Sequence, residues 1–132
     1  MAVMIDTNVA IHLRDGDPAI GRRLVERGEA LVISVVTRVE LEGGTAASND
    51  PLRRPRLERM LQTLTALPFT DAEAAAYGAI IAALGHDRRR VLDRMIAAQA
   101  IVADLPLVTI NGPDFRDIPG LKLETWDDPA RA

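Results

Sequence analysis

The chain contains no cysteine, few aromatic residues and no long apolar run, and each of these absences argues against a class of function. Without cysteine there is no disulfide framework, no thiolate metal site and no catalytic thiol, which fits a reducing cytoplasm. Aromatic residues make up only 3% of the chain, fewer than a protein that reads bases by stacking normally carries. No apolar run approaches the roughly 20 residues that cross a bilayer, and residues 1–10 do not resemble a signal peptide. We therefore expect a cytoplasmic protein without a membrane segment.

Charge and histidine content are equally restrictive. The two histidines, His12 and His86, have no zinc-ligand spacing, and neither is assigned a role. The formal net charge of −3 argues against general coating of nucleic acid, but arginines cluster at positions 53–56 and 88–90. Local potential governs contact with phosphate more than net charge does. Each cluster is thus either a phosphate contact or a solvated helix surface.

Strand and helix patterns alternate along the 132 residues, which form one domain. Such alternation predicts an α/β fold in which helices cover both faces of a parallel sheet. Ser34 is the expected N-cap of a helix that Gly43-Gly44 ends, and Asp71 is the candidate cap of another helix. Strands are predicted at 2–5, 30–33, 67–69 (a strand or an extended link), 107–110 and 121–125, and helices at 7–14, 18–27, 34–44, 57–64, 71–85 and 91–103. The residues from about 127 form a loose tail.

Four carboxylates occupy positions from which a strand end or a helix can direct them to one cleft. Asp6 follows the apolar residues 2–5, at the carboxyl edge of a first strand, where open α/β sheets bind ligands. Glu40 lies next to the apolar stripe of its helix. Asp93 shares a helix face with small alanines, which allow that helix to approach the sheet closely. Asp114 follows a later strand and returns to the same edge.

Each acid also has a purely structural interpretation. Asp6 would cap a helix that starts at Asn8, and Glu40 would complete a capping box with Thr37. Asp93 would pair with one of the neighbouring arginines on an exposed face, and Asp114 would be an ordinary turn residue. Several acids at one sheet edge, however, repel one another unless a cation compensates.

Oxygen ligands alone favour Mg²⁺ or Mn²⁺ over zinc. A cation of this kind takes few protein ligands and completes its coordination with water and substrate phosphate. The expected reaction is therefore phosphodiester hydrolysis by a water molecule that one or two ions activate. No serine, histidine or cysteine arrangement supports covalent catalysis. Asp6 and Asp93 are the expected main ligands, Glu40 a ligand or water activator, and Asp114 a second-ion or outer acid. The supporting polar residues are Asn8, Thr37, Thr109 and Asn111.

Four segments together resemble the PIN domain, and more narrowly the VapC-type toxins of prokaryotic toxin–antitoxin modules. They are MIDTNVAIHL at 4–13, SVVTRVELEGG at 34–44, VLDRMIAAQA at 91–100 and PLVTINGPDFRDIPGLKLETW at 106–126. The resemblance extends from about Val3 to Trp126, and it divides the chain into a PIN domain at 1–126 and a tail at 127–132. Four motifs in the family's order are a specific signal, although no single one is decisive.

The resemblance implies a three-layer sandwich with a sheet of about five parallel strands, and an endoribonuclease that depends on Mg²⁺ or Mn²⁺. It also implies a homodimer and inhibition by a cognate antitoxin. The family's acids carry over onto Asp6, Glu40 and Asp93. The fourth position falls on either Asp114 or Asn111, and we favour Asp114. The arginines that would contact RNA are Arg88, Arg89 and Arg90.

Other functions remain open on the sequence alone. An aspartyl-phosphate phosphatase also begins with a strand-end aspartate, but it needs a second aspartate where this chain has Asn8. A PIN-like binding module would act only through its antitoxin partner, although the presence of all four acids argues against it. Cleavage of DNA instead of RNA is also open, because chemistry between metal and phosphate does not itself require the 2′-hydroxyl.

Overall fold

A computed structural model describes residues 1–129 and shows the alternating strands and helices that the sequence predicts. The chain therefore has the expected α/β architecture. The strands are β1 (Ala2–Ile5), β2 (Ala30–Ser34), β3 (Thr65–Leu67), β4 (Leu107–Thr109) and β5 (Leu123–Thr125). The α-helices are α1 (Thr7–Arg14), α2 (Pro18–Arg27), α3 (Val35–Ala47), α4 (Arg53–Leu61), α5 (Asp71–Leu84) and α6 (Val91–Ala103). Short 3-10 helices cover Arg88–Arg90 and Gly112–Asp114.

The five strands form one parallel sheet in the order β3-β2-β1-β4-β5. The chain first adds strands on one side of β1 and then returns to add β4 and β5 on the other side. This reversal of strand order lies between β1 and β4, and ligands of open parallel sheets bind beyond the carboxyl ends of the strands at such a point. Because Ile5 pairs with Val108, the next residues, Asp6 and Thr109, lie side by side at the carboxyl ends of β1 and β4.

Alternate residues of β1 face two separate cores. Val3 and Ile5 pack with Leu24 and Leu57 on one face of the sheet. Met4 packs with Ile96 of α6 on the other face. The sheet is consequently the middle layer of a three-layer sandwich, which confirms the predicted fold class. None of the helices in residues 1–129 is long and apolar enough to span a membrane.

The end of α3 was predicted wrongly. The Gly43-Gly44 pair does not stop this helix, which continues to Ala47. Neither glycine has the positive φ of a helix-ending residue. Beyond them Thr45 is 7% exposed, so packing of the last turn outweighs the low helix propensity of glycine.

Other element boundaries also differ from the prediction. The third strand lies at Thr65–Leu67 because Thr65 and Leu67 pair with β2, and it ends before Pro68, which has no N–H to donate. Helix α4 ends at Leu61, since the chain must turn there to enter β3. The last strand begins at Leu123, whose partner is Leu107.

Two further predictions concern a helix cap and the tail. Thr70, not Asp71, occupies the N-cap position of α5, and Asp71 is the first helical residue. Of the predicted tail 127–132, residues 130–132 lie outside the described residues. The domain limits therefore stay a prediction.

Candidate metal-binding active site

Asp6 is both a helix cap and a buried acid at the switch point of the sheet. Asp6 is only 3% exposed. One carboxylate oxygen accepts a hydrogen bond from the backbone N–H of Val9 at 2.9 Å, so Asp6 does cap α1, which begins at Thr7 rather than at Asn8. The other oxygen accepts from the Thr109 hydroxyl at 2.6 Å. Burial raises the pKa of Asp6, although the hydrogen bonds from Thr109 and Val9 lower it, and the negative charge of Glu40 raises it further.

Glu40 approaches Asp6 from α3. Its Oε1 accepts a hydrogen bond from the Thr7 hydroxyl at 2.7 Å, and the Thr37 hydroxyl lies 3.1 Å from that of Thr7. The capping-box interpretation is wrong, because Ser34 caps α3 by accepting from the Val36 N–H at 3.0 Å. Glu40 instead belongs to a polar contact between α1 and α3.

Sequence reasoning missed Thr7. It named Asn8 and Thr37 as supporting residues, but the side chain of Thr7 is the one that joins Glu40 to the start of α1. The Asn8 side chain is exposed, whereas its backbone N–H helps to lower the pKa of Asp6. The available signal was the position of Thr7 beside a strand-end acid, at the first turn of a helix.

Asp93 lies in the first turn of α6 and is half-buried. Its pKa is raised to about 6, first by desolvation and then by the negative charges of Asp114, Asp6 and Glu40, while Arg90 lowers it. All three other candidate acids thus act on this one carboxyl group. The fold brings the four predicted acids to one region, and the interpretation of Asp93 as an exposed partner of arginine fails.

Asp114 closes the 3-10 helix after β4, and Asn111 precedes that helix. The backbone N–H of Asn111 donates to the Thr109 hydroxyl oxygen at 2.9 Å, which fixes the hydroxyl that serves Asp6. Gly112 allows the close approach of this turn to β5. A Cβ at Gly112 would lie 3.0 Å from two atoms of the Thr125 side chain.

The donor set fits a hard divalent cation held by few protein ligands. Within residues 1–129, no three acidic or imidazole side chains are close enough to form a complete metal cage. Mg²⁺ commonly takes one or two carboxylates and fills its remaining positions with water and substrate oxygens. The oxygen donors suit such a cation. Its positive charge would also relieve the repulsion that Asp93 experiences from Asp114, Asp6 and Glu40.

The hydrogen bonds and ion pairs described for the four acids involve neither the histidines nor the first arginine cluster. His12 is 3.8 Å from Asp17, and His86 is exposed. Arg54 of the first arginine cluster pairs with Glu42 at 2.8 Å. A cavity of about 500 Å³ lies beside α4 and is not lined by any of the four acids. Its lining residues are Leu13, Arg14, Asp15, Gly16, Arg56, Arg59, Met60 and Thr63.

Comparison with known proteins identifies the family. The family model of the PIN domain matches residues 3–121. The chain is similar to the tRNA(fMet)-specific endonuclease VapC of Shigella flexneri, at 33% identity over 93% of this chain and 96% of the relative. It is also similar to the ribonuclease VapC of Rickettsia bellii, at 31% identity over 95% and 96% of the two chains.

Solved structures show the same fold. A chain of VapBC2 from Rickettsia felis, crystallised with a DNA fragment from its promoter, superposes with a TM-score of 0.86 at 26% identity, over 96% of this chain and all of that one. A chain of DNA-bound VapBC from Salmonella typhimurium gives 0.81 at 29% identity, over 96% and 98%. Fold and site thus define an α/β protein with an acidic sheet edge. The chain belongs to the PIN-domain family, among its VapC-type members.

Proposed function

We propose that the protein is a Mg²⁺- or Mn²⁺-dependent endoribonuclease and the toxin of a toxin–antitoxin pair. The observation that carries the proposal is the gathering of four carboxylates at one edge of the sheet. Asp6 is held by Val9 and Thr109, Glu40 is held by Thr7, and the charges of both, with that of Asp114, act on the half-buried Asp93. Relatives named as ribonucleases at above 30% identity over nearly the whole chain support the choice of RNA as substrate.

Asp6 and Asp93 would hold the cation, with Glu40 as a ligand or water-orienting base and Asp114 as an outer acid. When bound, the cation would supply Lewis-acid stabilisation of the phosphoryl oxygens and lower the pKa of water. The protein's own contribution is orientation. Thr109 fixes one oxygen of Asp6, and Thr7 fixes one oxygen of Glu40, so neither carboxylate is free to rotate towards its neighbour.

The polar residues predicted to support the site would act through these acids. Thr37 and Asn111 do so indirectly, since their contacts are with the two threonine hydroxyls. Asn8 exposes its side chain beside Asp6, where it would orient water or RNA.

RNA would be held by arginines at the start of α6. Arg88 and Arg89 are exposed and Arg90 is half-buried, all within five residues of Asp93 along the chain. Guanidinium groups bind phosphate through paired N–H donors. This surface would give a protein of net charge −3 a local positive patch next to its acids.

The partners would be a cognate antitoxin and a second copy of the chain. Structural neighbours include DNA-bound VapBC complexes and a toxin–antitoxin complex from Klebsiella pneumoniae. These complexes support an antitoxin partner. The homodimer rests on family resemblance.

Cleavage of a structured RNA pool tests the function directly. Purified protein is incubated with Mg²⁺ or Mn²⁺, or with chelator, beside Asp6→Asn and Asp93→Asn. We expect cutting that chelator and either substitution abolish. Asp71→Asn, at an exposed carboxylate of α5, is the matched control and should cut like the wild type.

The same assay separates the alternatives. If Asp6→Asn retained activity, Asp6 would not be a metal ligand and the assignment of the site would be wrong. A folded protein that binds an antitoxin but cleaves neither RNA nor single-stranded DNA would be a binding module. Equal cleavage of a DNA of the same sequence would contradict the specificity for RNA.

A further inference from the structure

Arg90 is held between the two segments that carry Asp93 and Asp114. Its Nε lies 3.5 Å from Asp87 Oδ2, and its Nη1 donates a hydrogen bond to the Pro113 carbonyl at 3.2 Å. The same Nη1 lies 3.7 Å from Asp114 Oδ1. The Arg90 side chain is only 30% exposed. Arg90 is therefore fixed at three points, in contrast to its two exposed neighbours.

Both sides of this arrangement are anchored. Asp87 caps the 3-10 helix Arg88–Arg90 by accepting from the Arg89 N–H at 3.0 Å, and that helix leads directly into α6. On the other side, Pro113 belongs to the turn that Gly112 seats against Thr125 of β5. Arg90 thus connects the start of α6 with the turn after β4.

The charge of Arg90 opposes a cation at Asp114. A guanidinium is charged at all accessible pH values and has no lone pair for a metal. A divalent ion bound to Asp114 would lie beside this charge and would lose the attraction that Asp114 alone would provide. An ion bound between Asp6 and Asp93 would feel this charge more weakly. Arg90 contacts Asp87, Pro113 and Asp114 directly, whereas its effect on the pKa of Asp93 is smaller than the effects of Asp114, Asp6 and Glu40.

We propose that Arg90 takes the place of a second metal ion. It neutralises and positions Asp114, so that the site binds one divalent cation, through Asp6 and Asp93. This inference rests on the proposed metal-dependent function. It makes Arg90 a positioning residue rather than a phosphate contact, and it narrows the proposed RNA contacts at the start of α6 to Arg88 and Arg89.

Counting bound Mn²⁺ tests the proposal without any RNA. The free protein is titrated with Mn²⁺ and followed by calorimetry and by the loss of the free-ion electron paramagnetic resonance signal. We expect one ion per chain for the wild type and two for Arg90→Gln, the second weaker than the first. Arg90→Lys keeps the charge and should bind one ion. Arg89→Gln removes an exposed neighbouring charge and is the matched control, also with one ion.

A double variant identifies the place of the second ion. Adding Asp114→Asn to Arg90→Gln should return the number of bound Mn²⁺ ions to one per chain, because the double variant lacks the carboxylate that Arg90 neutralises in the wild type. Circular dichroism of each variant establishes that it is folded, which is expected since Arg90 and Asp114 are both partly exposed.

The outcomes separate this inference from the function on which it rests. Two ions in the wild type, one ion in Arg90→Gln, or two in Arg90→Lys would each overturn the role of Arg90 and leave the metal-dependent nuclease standing. No Mn²⁺ binding by the folded wild type would overturn both. If Arg90→Gln keeps one ion but loses RNA affinity far beyond Arg89→Gln, Arg90 is a phosphate contact and the proposal is wrong.

Discussion

Asp93→Asn is expected to stabilise the metal-free protein while it removes the proposed activity. In the absence of a cation, the ionised Asp93 is partly desolvated and repelled by Asp114, Asp6 and Glu40. Asparagine keeps the shape of the side chain and removes its charge. The substitution therefore relieves a cost that the native site carries for its function.

The shift in pKa sets the size of this effect. The pKa of Asp93 rises from 3.8 to about 6, and each pKa unit corresponds to about 1.4 kcal/mol of free energy. The full shift would be about 3 kcal/mol. Because Asp93 is only half-buried, solvent screening reduces this to about 1–2 kcal/mol. For a chain of this length, that corresponds to a rise in Tm of about 3–8 °C at pH 7.5.

The stabilisation should depend on pH in a defined direction. A carboxyl group whose pKa is raised by folding favours the folded state when protonated, so its favourable contribution is present below pH 3.8 and is lost as the pH rises through about 6. The wild type therefore regains stability, relative to Asp93→Asn, on acidification. The difference between the two proteins should be full above about pH 7 and small near pH 4.

Thermal unfolding followed by circular dichroism in chelator, at pH 7.5 and pH 4.5, measures both differences. Adding Mn²⁺ at pH 7.5 should then raise the Tm of the wild type and leave that of Asp93→Asn unchanged. Asp71→Asn controls for the loss of a carboxylate at a helix start. An Asp93→Asn protein that is no more stable than the wild type at pH 7.5, or equally stabilised at both pH values, would refute the electrostatic reasoning.

Three further experiments test separate parts of the site. Thr109→Val removes the hydroxyl that donates to a buried carboxylate and should lower the free energy of unfolding by about 1.5–3 kcal/mol in urea titration at pH 7.5; an unchanged midpoint would contradict it. Gly112→Ala should lower activity, because its Cβ would meet Thr125, and Thr125→Ala in the same chain should restore activity if that contact is the cause. Charge reversal of Arg88 and Arg89 should weaken RNA binding and flatten its dependence on salt, and an unchanged salt slope in filter binding would assign both to solvated surface.

The placement of the main acids was predictable because it follows from local sequence and topology. An aspartate that ends an apolar strand must lie at the carboxyl edge of a parallel sheet, which locates Asp6. Alanines on one helix face allow close packing, and this brings Asp93 to the same edge, with Ala97 and Ala100 buried as expected. In both cases one short segment contained the whole signal.

The element boundaries show where local signals fail. Two consecutive glycines normally end a helix, but the buried Thr45 holds the last turn of α3 in place. The third strand depends on which residues pair with β2, and such pairing cannot be read from an apolar triplet that includes a proline. Tertiary contacts decided both positions.

The relative position of the two acid-bearing helices rests on contacts that no periodicity reveals. Ser34, the cap of α3, donates from its hydroxyl to Gln99 Oε1 of α6 at 3.0 Å, and both side chains are almost fully buried. Gln99 Nε2 in turn donates to Glu73 of α5 and to the Pro68 carbonyl, each at 3.0 Å. The Thr70 hydroxyl lowers the pKa of Glu73 most, burial raises it, and Gln99 lowers it further. The net effect is a lowered pKa, so this acid stays charged among its hydrogen-bond donors.

This network explains how α3 and α6 can hold like charges near each other. Glu40 and Asp93 lie on helices separated by more than 40 residues of chain, and their repulsion would push those helices apart. The bond between Ser34 and Gln99 opposes that movement, since a buried donor or acceptor left without its partner costs more than the bond itself contributes. The sequence shows the acids that repel; the buried polar side chains that hold them together become visible only in the fold.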